Sequence, residues 1–203
     1  MKHDEIKSKI HTLLSPSLDG FKYIKTKFEY TRRLNSLNYI YRIYLHSSYG
    51  RTKVQSAVFV GSPDVNKLFN KASNYSIPVN DTTWGYSVLN EYKGRGNYQV
   101  EDCTDIEPVV NQLKLDFNEI ALPEFESIKS LQDLEKKMNK KNSSEEYRPN
   151  SNACLGIAAA SLCNNPDFDK ICKDYHQFCV QAQSEKLCLP ILQIQNYIET
   201  HTS

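Results

Sequence analysis

Cys172, His176 and Cys179 stand at i, i+4 and i+7, which lays two thiols and an imidazole along one stripe of a helix. With a fourth ligand from elsewhere, Cys163 for example, such a stripe suits zinc. The same cysteines also continue an apolar face with Phe168 and Tyr175, so burial as small hydrophobic residues is the expected role and no metal or other cofactor is expected. The five histidines are His3, His11, His46, His176 and His201. None lies in a local signature that pairs it with a nucleophile, so no catalytic residue is assigned. His46 ends a tyrosine-rich stretch beside a turn, a place where loops carry function. A hydrolase or nuclease built on His46 or His176 is therefore the enzymatic alternative.

Glu101, Asp102, Asp105 and Glu107 place four carboxylates within seven residues. Asp105 and Glu107 also suit the first turn of a helix. As a surface, the four acids complement a basic partner, and they are the candidate partner-binding residues. Lys25, Lys27 and Arg33, with tyrosines nearby, are the residues of a second alternative, a module for single-stranded nucleic acid. Glu29 interrupts that stripe, so nucleic acid is not the expected partner. Gly94-Arg95-Gly96 lacks the Gly-Lys-Ser/Thr ending of a phosphate loop and is read as a turn.

Helical and extended periods alternate along the chain that must carry these groups. Ile6, Ile10, Leu13 and Leu14 predict an amphipathic helix from Asp4 to Leu14. From Ile24 to Thr31, apolar and polar residues alternate as in a half-buried strand. Leu37, Tyr39, Tyr41, Ile43 and Leu45 predict the inner face of a second strand, and Val54, Ser56, Val58 and Val60 that of a third. Ser62 and Pro63 open a helix. Trp84 to Val88 and Tyr98 to Val100 are expected to form a hairpin around Gly94 to Asn97. Thr104 and Glu107 have capping-box spacing for a helix that Pro123 is expected to stop. Ser130 caps another, and the segment 142–152 reads as an exposed polar connection. Beyond it, helices are expected around Leu155 to Leu162, after Asn165-Pro166, and from Leu189 to Ile198. The fold class is thus α+β: an antiparallel sheet of about five strands covered by helices, with a helical C-terminal portion. A single domain over 1–203 is expected, with a sheet-and-helix portion over 1–141 and a helical portion over 153–203.

Composition agrees with such a fold: 39% hydrophobic, 24% charged and 11% aromatic residues among 203 are globular proportions. A net charge of +1 supplies no global field toward nucleic acid or an anionic membrane. No apolar stretch approaches the roughly 20 residues of a membrane span. From the polar start, Met1 to Glu5, no export signal is expected. A cytoplasmic protein with its six cysteines reduced is the expectation.

The series "GFKYIKTKFEYTRR", "LNYIYRIYLHSS", "VQSAVFVG" and "LPEFESIKSLQDLEKKM" resembles a group of bacterial domains of unknown function, some encoded beside polymorphic toxins. Residues 4 to 140 are similar in pattern to immunity proteins of contact-dependent growth inhibition systems, and "LPEFESIKSLQDL" is the most specific phrase. This resemblance implies a cytoplasmic binding protein that neutralises a toxin domain by occluding it, without enzymatic activity. It carries no site residues across, because such interfaces differ from pair to pair.

Overall fold

A computed structural model of the chain describes residues 3–48, 51–101, 106–141, 153–183 and 185–201. Asp102, Thr104, Asp105, the turn at Tyr49-Gly50 and the connection 142–152 lie outside the described residues. The chain forms two compact units. The first comprises Met1–Leu34, Asn38–Val60 and Gly85–Ser127, the second Asn35–Leu37, Gly61–Trp84 and Ile128–Ser203.

The fold is α+β, and its antiparallel sheet has six strands among the described residues. They are β1 (Lys22–Ile24), β2 (Glu29–Leu34), β3 (Leu37–Ser48), β4 (Arg51–Gly61), β5 (Trp84–Ser87) and β6 (Asn97–Val100). The order is β1-β2-β3-β4-β5, with β6 also on β4. One expected strand divides in two, because Phe28 adopts φ 50° and its N–H bonds Lys25 O at 3.3 Å. That turn folds 22–24 back on 29–31, with Tyr23 opposite Tyr30. The expected hairpin of 84–88 with 98–100 is not formed, since β5 and β6 each pair with β4. Val88–Glu91 forms a short helix, α3, between them. Gly96, at φ +68° and with no room for a Cβ against Val88 (2.6 Å), turns the chain back into β6.

In the first unit, helices cover the inner sheet face. They are α1 (His3–Leu14), α4 (Glu107–Asp116) and α5 (Leu122–Ser127). Ile6, Ile10 and Leu14 bury one stripe of α1. Tyr41 donates its hydroxyl to Leu113 O (3.0 Å) and packs edge-on against Phe117, while Tyr39 meets Phe125. The N-cap of α4 is Ile106, with no side-chain cap bond, in place of the expected Thr104. Pro123 does not stop the helix: Phe117–Ala121 forms a π-helical segment, and α5 runs on through Pro123. The wider turn bonds Leu122 N to Phe117 O and brings the chain to the first turn of α5, where a proline's missing N–H costs little.

The second unit is helical: α2 (Pro63–Ala72), α6 (Leu131–Met138), α7 (Ala153–Leu162), α8 (Phe168–Gln181) and α9 (Glu185–His201). Ser62 accepts from Val65 N, and Ser130 with Asp133 completes a capping box, so both expected caps are present. Helix α7 is apolar on every side and packs against α2, α6, α8 and α9, the environment such a helix requires. Gly156 lets it approach Asn139, whose Oδ1 would lie 2.6 Å from a Cβ there.

Candidate functional site

Along β3 and β4 the side chains alternate between the helix-covered face and the opposite one. The Arg42 guanidinium lies over the Phe59 ring at 5.1 Å, which puts even residues of β3 and odd residues of β4 on that opposite face. In β6, Gln99 stands opposite Lys53 and Asn97 opposite Gln55. Arg51 reaches Glu101 at 3.0 Å, each side chain 57% exposed, and donates weakly to Gln99 at 3.5 Å. Where β3 ends, His46 is exposed and its ring lies near-parallel to Tyr44, at 6.1 Å. The free end of the sheet therefore presents a cationic row on β4, an amide and carboxylate row on β6, and an aromatic pair on β3.

A buried cluster behind this face holds β6 in place. Asp116, 0% exposed, accepts from Ser56 Oγ (2.8 Å), from the Tyr98 hydroxyl at both oxygens (2.8 Å each) and from Arg95 Nε (2.9 Å). The Tyr98 hydroxyl accepts in turn from Gly96 N (3.0 Å). Burial pushes the Tyr98 phenol up to about 12, and the Asp116 carboxylate adds to the rise. The Arg95 guanidinium is held above its ordinary value by its bonds to Asp116 and Glu119. Tyr98 thus stays protonated and Arg95 charged around neutral pH, and β6 is pinned from within while Asn97 and Gln99 face outward.

The residues singled out from sequence divide among several places. Glu101 and His46 come to the same end of one sheet face. Glu107 is exposed in the first turn of α4, and Asp102 and Asp105 lie outside the described residues. Lys25 and Lys27 occupy the turn between β1 and β2, and Arg33 is exposed on β2. His46 makes no hydrogen bond among the described residues. Cys172 and Cys179 are buried with Ile171 and Tyr175 on α8, and His176 is half-buried. Burial pushes the Cys172 thiol up to about 12 and the Cys179 thiol up to about 11, which disfavours the thiolate that metal binding and nucleophilic attack require. Among the described residues, no three His, Cys, Asp or Glu side chains are grouped to hold a metal ion, and no helix is long and apolar enough to cross a membrane. Sequence reasoning missed Arg51, Lys53 and Gln99, although their alternation with Thr52, Val54 and Tyr98 was the available signal. Comparison of the chain with protein-family models, with curated proteins and with solved structures finds no match in any of the three.

Proposed function

We propose that this chain acts by binding another protein, and that it serves as an immunity protein occluding a toxin domain. The observation that carries the proposal is the exposed Arg51–Glu101 pair on the free end of the sheet. An exposed pair of this kind contributes about 0–1 kcal/mol. Either charge can therefore change partners at little cost, and the strands already hold both in position. Mixed signs on a rigid face suit recognition of one protein partner, since complementary charges speed encounter and set register. In the sequence Glu101 begins the acidic run to Glu107, and such a run complements a basic partner, which a nuclease toxin would be.

The test is co-expression with a toxin domain encoded beside this gene, followed by association kinetics on the purified pair. The wild-type chain is expected to rescue growth and to associate more slowly as salt rises. Reversing Glu101, Asp102 and Asp105 to Lys is expected to slow association about tenfold and to flatten the salt response. A neighbouring toxin that the chain neither binds nor neutralises would overturn the proposal. An unchanged rate in the triple variant would remove the acidic run from it.

A further inference from the structure

A cleft of about 680 Å³ opens in the first unit between α1 and the β1–β2 hairpin. We propose that it binds a small organic anion bearing a flat ring, of the nucleoside phosphate class. Its volume lies in the range of about 300–1,000 Å³ usual for small-molecule sites. From α1 come Asp4, Lys7, Ser8 and His11, spaced i, i+3, i+4 and i+7 and hence on one stripe of the helix. Tyr23, Lys25 and Thr26 close the other side.

The groups lining this cleft are mostly donors: two ammonium groups and three hydroxyls, against one carboxylate. Such a lining selects a ligand rich in acceptors, as a phosphate is, and leaves Asp4 to accept from a sugar hydroxyl. Among the described residues neither Lys7 nor Lys25 forms a salt bridge. Lys7 Nζ instead stands 5.8 Å over the Phe28 ring, so both charges remain to be neutralised. The flat ring is inferred from the aromatic wall. His11 stacks on Tyr23 with centroids 3.8 Å apart and planes within 14°. His11 Nδ1 is held 3.2 Å from the Tyr30 hydroxyl, and Tyr30 is fully buried. Both rings are thus fixed before a ligand arrives, which lowers the entropic cost of stacking a third. Lys25 is exposed and Lys7 half-buried at this concavity, while Ile6, Ile10 and Leu14 on the other side of α1 form the core contact.

Titration of the full chain with AMP, by calorimetry and by amide shifts around His11 and Thr26, tests the proposal. AMP is expected to bind, with adenosine and inorganic phosphate each about tenfold weaker, as loss of about 1.4 kcal/mol from either half implies. Lys7→Ala with Lys25→Ala is expected to weaken AMP by at least about tenfold while leaving adenosine unchanged. Tyr23→Leu is expected to weaken AMP and adenosine alike, and Tyr23→Phe, which keeps the ring, is expected to restore both. A 5′-phosphorylated oligodeoxyadenylate distinguishes the two sources of this chemistry: affinity equal to that of AMP assigns the cleft to free nucleotides, and much tighter binding assigns it to a strand end. Absence of AMP binding, or AMP binding that the lysine substitutions leave unchanged, overturns the proposal.

Discussion

Among the described residues each unit buries one carboxylate on a helix, Asp116 and Glu135, and the two solve the problem of a buried charge differently. Asp116 in the first unit uses both oxygens and takes a guanidinium among its donors, with Arg95 standing 26% exposed at the rim. Glu135 in the second unit, 4% exposed, receives the Asn139 and Asn165 amides, both at Oε1 and both at 2.7 Å. Asn139 also donates to Gly156 O at 2.9 Å and accepts from the Tyr175 hydroxyl. Taking a carboxylate out of water costs several kcal/mol unless partners compensate it. The first cluster compensates with charge and ties β4, β6 and the 92–96 turn to α4. The second compensates with amide dipoles and ties α6 to α7, α8 and the turn between them. Removing the carboxylate should therefore be far more damaging in the first unit.

The largest expected effect is that of Asp116→Ala. It leaves Tyr98 and Ser56 without this acceptor and Arg95 with Glu119 alone, and breaking a pair whose carboxylate is buried costs up to about 3–5 kcal/mol. Denaturant unfolding measures it, and a loss under about 1 kcal/mol would show that the cluster does not hold β6. A smaller effect is expected on the half-buried first turn of α6. The hydroxyl of Ser130, followed by the Lys129 and Ser130 N–H groups, holds the Asp133 carboxyl below its usual value. A lowered folded-state value means that its contribution is present above the unfolded value of about 3.9 and is lost as pH falls through the folded one. Asp133→Asn is thus expected to cost about 0.5–1 kcal/mol at neutral pH. That difference should shrink toward zero in unfolding curves taken well below about pH 4. A difference independent of pH would remove charge from the cap. The smallest effect is expected of Glu135→Gln, which keeps the one oxygen that both amides use and should change stability by under about 1 kcal/mol. A loss as large as that of Asp116→Ala would break the contrast between the two clusters.

The sequence alone determined the elements whose signals are local. The stripe of Ile6, Ile10 and Leu14 places α1, and the alternation through Leu37 to Ile43 and Val54 to Val60 places β3 and β4 with the correct inner face. Ser62 and Ser130 mark their caps because a cap bonds a backbone N–H only three positions away. The α+β class followed from these. His46 and the acid at Glu101 were visible as residue types, but not as neighbours on one face.

Tertiary structure decided whatever depended on partners distant in the chain. Phe28 takes φ 50° inside an alternating run, so one apparent strand becomes a hairpin that pairs Tyr23 with Tyr30 and walls the cleft beside His11. β5 and β6 carry ordinary hairpin signals yet both pair with β4, because strand pairing is chosen by long-range packing as well as by the turn between strands. The π-helical segment after Asp116 carries the helix through Pro123, which local rules make a stop. Ser56 and Asp116 are 60 residues apart, as Glu135 and Asn165 are 30. An acid reads as exposed until the fold brings donors to it, since only those donors offset the desolvation that would otherwise keep it in water.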